Sequence, residues 1–123
     1  MVTLDASPAS TAAPDMERVV TLVLEGELAD TELSKVGHEL FRLAHRGHRR
    51  MVLDLTDVSH VDYRGVKPLA ARADVFRKAG GDIKLAGMSP YVQAIFRAAG
   101  ALDKFDQYET PQDARAAFWR QPM

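Results

Sequence analysis

Apolar residues follow two patterns that alternate along this chain, and their alternation predicts the order of its secondary structure. Apolar runs predict strands at about 19–24, 50–55 and 82–87, the first of them rich in β-branched residues, and a shorter run at 104–108 fits a last strand. Between and after these runs, apolar residues recur at three- and four-residue spacing, which predicts four helices. Strands and helices that alternate through short connections indicate the α/β class, with helices packed against one sheet.

Capping residues predict where these helices begin and end. Asp30 is a candidate N-cap for the first helix, and Gly47 stands where a left-handed residue would end it. Ser89 and Thr110 are each followed by a proline, a pairing typical of the first positions of a helix. We therefore expect the third and fourth helices to begin at these two residues.

The polar stretch HVDYRGVKPL, residues 60–69, joins the second predicted strand to the second predicted helix. Proline lacks an N–H group and is harmless only within the first few helical positions. We therefore expect Gly65 to cap this helix and Pro68 to be its third residue, with Tyr63 and Arg64 just outside it. Because a cation near a helix N-terminus opposes the helix dipole, stability alone does not call for Arg64. This mismatch favours a functional role.

The N-terminal part of the chain differs in composition from the rest. Residues 6–15 consist of Ser, Ala, Pro and Thr with one Asp, a composition that buries little apolar surface. We expect residues 1–17 to be a flexible segment, with a short edge strand at residues 2–4 as an open alternative. Residues 18–123 are then predicted to form one domain, which is the size expected for a chain of this length.

Composition and charge narrow the classes of function. The formal net charge is −1, which gives no global attraction to nucleic acid or to an anionic membrane. No apolar run approaches the roughly 20 residues that span a bilayer, and the N-terminus lacks the basic and apolar regions of a secretory signal. The absence of cysteine removes disulfides and thiol catalysis, and it fits a reducing compartment. We predict a cytoplasmic protein.

Histidines and basic residues do not make a convincing metal or nucleic-acid site. His38 and His45 share a helix face but stand about 10.5 Å apart along the axis, too far for one ion. The basic residues around the end of the first helix lack interleaved aromatic side chains for base stacking. A solvated helix end is the favoured interpretation, and a docking surface for an acidic partner stays open. The cluster comprises Arg42, His45, Arg46, His48, Arg49 and Arg50.

Carboxylates near the end of the second strand are the best candidates for enzyme chemistry. Asp54 and Asp57 stand there, with Asp62 beyond, and α/β active sites lie at the carboxyl ends of parallel strands. The sequence has neither a nucleophile elbow nor a glycine-rich phosphate loop. We therefore predict that the protein is not an enzyme, and an enzyme using Asp54 or Asp62 is the weakest alternative.

The order of elements, taken with three stretches of sequence, resembles a STAS domain, the module of bacterial anti-sigma factor antagonists. The stretches are LEGELAD, MVLDLTDVSHVDYRGVKPL and the long run from AGGDIKLAG to ARAAF, so the similarity covers about residues 19–118. The resemblance implies a single α/β domain with a four- to five-stranded mixed sheet and about four α-helices. It also implies a regulator without cofactor or metal that binds an anti-sigma factor or kinase of the histidine-kinase-like ATPase fold.

At one position the chain departs from the family pattern. In STAS antagonists, a Ser or Thr immediately before the turn glycine is phosphorylated, and the added charge disrupts docking. Here that position is Arg64, which cannot accept phosphate from a Ser/Thr kinase, while Thr56 and Ser59 are the nearest aliphatic hydroxyls. We therefore expect a partner-switching regulator that is not controlled by phosphorylation at the usual position. The predicted partner-binding and switch residues are Asp30, Asp62, Tyr63, Arg64, Gly65 and Lys67.

A second class of function remains open. Related domains occur in stressosome-like complexes and anion transporters, which suggests an assembly subunit or a binder of small anionic ligands. Arg64 beside a helix N-terminus has the donors and charge to hold a phosphate or carboxylate. The sequence gives neither the oligomeric state nor the identity of a partner.

Overall fold

The computed structural model describes residues 2–6 and 18–119, which contain five strands and four α-helices. The predicted α/β class with four helices is confirmed. Of the segment predicted to be flexible, residues 2–6 form an edge strand, and residues 7–17 lie outside the described residues. The strands are β1 (Val2–Ala6), β2 (Val19–Leu28), β3 (Arg50–Val61), β4 (Asp82–Ala86) and β5 (Asp106–Tyr108); the helices are α1 (Asp30–His45), α2 (Tyr63–Lys78), α3 (Pro90–Ala98) and α4 (Pro111–Ala117).

The strands lie in the sheet in the order of the chain, β1-β2-β3-β4-β5. Strands β2 to β5 are parallel, and β1 runs antiparallel to β2 at the edge. Parallel neighbours need a crossover, and α1, α2 and α3 each lie in one of the three crossovers. Because these helices follow parallel strands, their N-termini all begin at the carboxyl edge of the sheet. Any surface shared by these N-termini must therefore lie at that edge.

Strands β2 and β3 are longer than the sequence predicted. We expected them to end near residues 24 and 55, but they stay paired until Leu28 lies opposite Val61. Two register shifts interrupt the pairing, one between Val23 and Glu25 and one between Gly26 and Glu27. These irregularities break the simple alternation of apolar and polar residues, which is why the pattern ended too early. The extension carries β3 up to the residue before Asp62.

Alternate residues of the strands point to opposite faces and build two apolar layers. On one face, the sheet packs against α1, α2 and α3 in the main core, which includes Leu22, Leu53 and Phe96. On the other face, the short helix α4 covers a smaller cluster through Ala114 and Phe118. The three helices that begin at the carboxyl edge therefore share one side of the sheet.

The face under α4 also holds a buried cation. Lys84 is 3% exposed, and its ammonium group lies 3.2 Å from Asp82 Oδ2 and 3.0 Å from Asp106 Oδ2. Its nitrogen also lies 4.7 Å from the centre of the Phe118 ring. Burial lowers the pKa of Lys84, but the hydrogen bonds and charges of the two carboxylates outweigh it and raise that pKa overall. This lysine is part of the packing beneath α4.

Two predicted helix starts were wrong. Asp30 does not cap α1: the cap is Ala29, without a side-chain hydrogen bond, and Asp30 is the first helical residue. Helix α2 begins at Tyr63 and not after Gly65, so Pro68 is its sixth residue. Pro68 cannot donate a hydrogen bond to the carbonyl of Arg64, which is an exposed residue of the first turn.

Candidate functional site

The first turn of α2 is held by the residue before it. Asp62 has an extended backbone, and its Oδ1 accepts a hydrogen bond from the Arg64 backbone N–H at 2.9 Å. The Asp62 backbone carbonyl accepts from the Gly65 N–H at 3.0 Å, and the Asp62 N–H donates to the Leu28 carbonyl at 2.8 Å. Asp62 therefore ties the end of β2 to the start of α2.

Arg64 folds back on the same carboxylate. Its Nε lies 3.2 Å from Asp62 Oδ1 and its Nη2 lies 2.9 Å from Asp62 Oδ2, which gives a two-point ion pair. Hydrogen bonds from the Arg64 side chain and backbone lower the pKa of Asp62 from 3.8 to about 2, and the same contact raises the pKa of Arg64. The Arg64 side chain is nevertheless 75% exposed. The predicted mismatch with the helix dipole is thus offset by the capping carboxylate.

Gly65 brings α1 against the start of α2. A Cβ atom placed on Gly65 would lie 2.6 Å from Leu33 Cδ1 and 3.0 Å from Asp30 Cα. This approach favours a residue without a side chain, because a Cβ atom would also crowd the backbone of α1. The first residue of α1 therefore lies beside the first turn of α2, and Asp30 adds to the negative charge that raises the pKa of Arg64. The predicted role of Gly65 as helix cap is therefore wrong, and Gly65 instead allows the two helices to pack closely.

An aromatic groove adjoins this turn on the side of α3. His60 Nδ1 lies 2.8 Å from the Tyr91 hydroxyl, and the two rings are 5.7 Å apart at their centroids. Tyr63 and Tyr91 are both 55% exposed, a large fraction for aromatic side chains. The groove has a volume of about 450 Å³, with Val61, Asp62, Ala94, Ile95 and Ala98 completing its lining.

The structure brings the predicted site residues to one edge. Asp30, Asp62, Tyr63, Arg64 and Gly65 occupy the first turns of α1 and α2 or the residue between β3 and α2. Lys67 lies one turn further along α2 and is exposed, without an ionic partner among residues 18–119. Asp30, Tyr63 and Arg64 are exposed, whereas Gly65 is buried. The six residues thus form one contiguous region.

The carboxylates considered for catalysis are engaged locally. Asp54 Oδ1 accepts hydrogen bonds from the Thr56 N–H at 3.0 Å and from its hydroxyl at 2.5 Å, and Asp62 serves as helix cap. Within residues 2–6 and 18–119, no group of three or more His, Cys, Asp or Glu side chains is arranged to hold a metal ion. No helix in the described part of the chain is long and apolar enough to cross a membrane.

Two features of the site were missed from the sequence. Asp is a common N-cap, and Asp62 stands directly before a helical pattern, so the sequence does contain a signal for this cap. The position of Pro68 pointed instead to a later start of the helix. The pairing of His60 with Tyr91 joins residues 31 positions apart and left no local signal.

The family of the chain follows from comparison with known proteins. A family model described as the STAS domain matches residues 10–114. The chain therefore belongs to the STAS domain family, as its motifs indicated.

Individual relatives agree with this assignment. The chain is 27% identical over 95 residues to BtrV from Bordetella bronchiseptica, which is named as a candidate anti-sigma factor antagonist; the match covers 77% of this chain and 82% of BtrV. The fold is similar to that of unphosphorylated Bacillus SpoIIAA, an anti-sigma factor antagonist, with a TM-score of 0.76, 16% identity and full coverage of both chains. It is also similar to part of the murine anion transporter Slc26a9, with a TM-score of 0.68, 19% identity and coverage of 84% of this chain and 18% of the transporter.

Proposed function

We propose that this chain is a non-enzymatic, cytoplasmic regulator that binds a protein partner in the manner of an anti-sigma factor antagonist. Its family and the name of its relative BtrV support this class. The proposed partner is an anti-sigma factor or kinase of the histidine-kinase-like ATPase fold. The proposed contact region is the carboxyl edge of the sheet, comprising Asp30, Asp62, Tyr63, Arg64, Gly65 and Lys67.

The geometry of this edge suits docking. Tyr63 and Arg64 project from a turn that is fixed by the Asp62 cap and by the close packing at Gly65. An anchored turn loses little conformational entropy on binding. Exposed aromatic and arginine side chains are also the residue types enriched at protein interfaces. Tyr63 and Arg64 are therefore proposed as the main contact residues.

The observation that carries the regulatory part of the proposal is the ion pair between Arg64 and Asp62. Arg64 immediately precedes Gly65 in the first turn of α2, the position of the phosphate acceptor in the family pattern. A guanidinium cannot take the place of a hydroxyl as acceptor. The charge at this position is fixed, and docking is not released by Ser/Thr phosphorylation there.

The same ion pair weighs against the anionic-ligand alternative. The Nε and Nη2 groups of Arg64 already bind both oxygens of Asp62. A phosphate or carboxylate ligand would have to displace that carboxylate and then lie beside its negative charge. A protein partner can instead contact the exposed part of Arg64 while the pair stays closed.

The test uses purified ATPase-fold anti-sigma factors and kinases from the source genome. Each is incubated with ATP, Mg²⁺ and either the wild-type chain or Arg64→Ser, and intact mass is recorded. We expect no phosphoryl gain in the wild type and a gain of one phosphoryl group in Arg64→Ser with the cognate kinase. A stoichiometric gain in the wild type would contradict the proposed lack of control.

Docking is measured on the same proteins by biolayer interferometry. We expect Tyr63→Ala and Arg64→Ala to weaken binding by about tenfold, the effect of losing a substantial interface contact. Arg97→Ala is the matched control, since Arg97 is exposed on α3 and lies outside the proposed contact region. If no ATPase-fold protein binds, the proposed partner class is wrong. If all three variants bind alike, the proposed contact region is wrong.

A further inference from the structure

Helix α2 carries an unusual share of the positive charge of this chain. It contains five basic residues and one acidic residue, whereas the whole chain has a net charge of −1. Two of the five cations are paired locally: Arg64 with Asp62, and Arg77 with Asp74 and Asp82. Lys67, Arg72 and Lys78 have no ionic partner among residues 18–119. The helix therefore presents charge that the described part of the domain leaves unbalanced.

The unpaired cations lie on the outward side of α2. The buried residues Val66, Leu69, Ala73 and Phe76 define the inward side. Residues at three- and four-residue steps share a helix face, so Arg64, Pro68, Ala71 and Val75 form a stripe opposite the core. All four are exposed, and Val75 is 51% exposed. We call this stripe, together with Lys67, Arg72 and Lys78, the outer face of α2.

Arg72 links the outer face to α1. A Cβ atom on Gly37 would touch the Arg72 side chain, so the stem of this arginine packs across the missing side chain of α1. Its guanidinium carbon lies 5.6 Å from the centre of the half-exposed Phe41 ring. A groove of about 230 Å³ runs between the two helices and is lined by Ser34, Pro68 and Arg72, among others. The half-buried Arg72 side chain is thus held by packing, and it has no carboxylate partner in the described part of the chain.

From these observations we propose that the outer face of α2 is a docking surface for an acidic amphipathic segment of a protein partner. The small apolar stripe of Pro68, Ala71 and Val75 receives the apolar side of that segment, and Lys67, Arg72 and Lys78 receive its carboxylates. The inference deepens the proposed function and rests on it for the role of α2 in docking. A protein is favoured over nucleic acid because the cations flank an apolar stripe and not a series of aromatic rings.

The test uses model peptides and does not depend on finding the natural partner. The acidic probe is a synthetic helix of about 18 residues, long enough to form a helix, with Leu at every third or fourth position and Glu between. Its twin carries Lys in place of each Glu. Each peptide is titrated into the ¹⁵N-labelled full chain, and amide shifts are followed. We expect the acidic peptide to shift the amides of residues 64–78 and the Lys twin to leave them unchanged.

Two charge-matched variants test whether the mapped surface causes the binding. Lys67→Glu/Arg72→Glu is expected to weaken the acidic peptide by about tenfold or more, since two attractive contacts become repulsive. Arg97→Glu/Lys104→Glu makes the same change in net charge at exposed residues that do not belong to α2 and is expected to have little effect. Equal weakening by both variants would show only a general effect of net charge and would overturn the proposal.

Other outcomes also decide the question. Duplex DNA and vesicles of 30% phosphatidylglycerol, roughly the charge density of an anionic membrane surface, are titrated in parallel. If either shifts the amides of α2 while the acidic peptide does not, the partner class is wrong. If the peptide binds α2 but no ATPase-fold protein binds the chain, the docking surface stands and the proposed partner fails.

Discussion

The close approach of α1 and α2 at Gly65 predicts that replacing this glycine by alanine destabilises the fold. The new Cβ atom would meet Leu33 Cδ1 at 2.6 Å, Leu33 Cβ at 3.1 Å and Asp30 Cα at 3.0 Å. Side chains can rotate away, but the backbone of α1 has to move. Overpacking of this kind costs about 1–3 kcal/mol, while alanine gains up to about 1 kcal/mol in helix propensity. The net expectation is a loss of roughly 1–2 kcal/mol.

Gly37 supplies the matched control, because it is also a buried glycine within a helix. A Cβ atom on Gly37 would meet only the flexible side chain of Arg72. We therefore expect Gly37→Ala to be neutral or slightly stabilising. For a domain of this size, a loss of 1–2 kcal/mol lowers Tm by roughly 4–8 °C. Thermal and urea unfolding, followed by circular dichroism, measure both variants. Equal stability of Gly65→Ala and Gly37→Ala would refute the backbone clash.

Further predictions concern caps and charges. The pKa of Asp62 is depressed in the folded chain, so its stabilising contribution is complete above pH 3.8 and is lost as pH falls towards 2. Asp62→Asn should therefore lose less stability than the wild type across that pH interval, as measured by urea unfolding at each pH. In Arg64→Ala the pKa of Asp62 should rise towards 3.8, which carboxyl ¹³C NMR measures, and an unchanged value would mean that the backbone N–H alone sets it. Ser89→Ala removes the acceptor for the Val92 N–H and should cost about 1 kcal/mol in urea unfolding. Lys84→Ala should cost about 2–4 kcal/mol because it leaves a cavity beneath α4. Lys84→Met keeps most of the packing volume and removes the ion pairs, so it should cost less than Lys84→Ala; similar losses would show that the ion pairs dominate.

Local sequence signals predicted the fold where a single residue determines the structure. Ser89 and Thr110 do cap α3 and α4, accepting hydrogen bonds from the N–H groups of Val92 and Asp113. Prolines at the next position reinforced both signals. The alternation of strands and helices was equally local, so the class of fold could be recognised without knowledge of any long-range contact.

The site was harder to predict because its geometry depends on contacts between elements. Asp30 looked like a cap, but α1 is capped by Ala29, and Asp30 lies in its first turn beside Gly65. Pro68 suggested a late helix start, yet the Asp62 cap and the pairing of β3 with β2 begin α2 two residues before Gly65. The start of α2 is thus determined by the Asp62 cap and by a tertiary contact, and not by the position of the proline.

The same correction changes what Arg64 means for regulation. If Arg64 were an unpaired cation outside the helix, only a function would explain its presence. Because Arg64 is paired with Asp62, it has a structural role as well. Phosphorylation at this position would bring two negative charges next to a capping carboxylate, and that repulsion can release a partner. Arginine does the reverse, because it neutralises the same carboxylate and holds the turn closed. In the family pattern, phosphorylation changes the charge of the first turn of α2. We infer that in this chain the charge of that turn is fixed by Arg64. We propose that control of docking acts at a site other than residue 64.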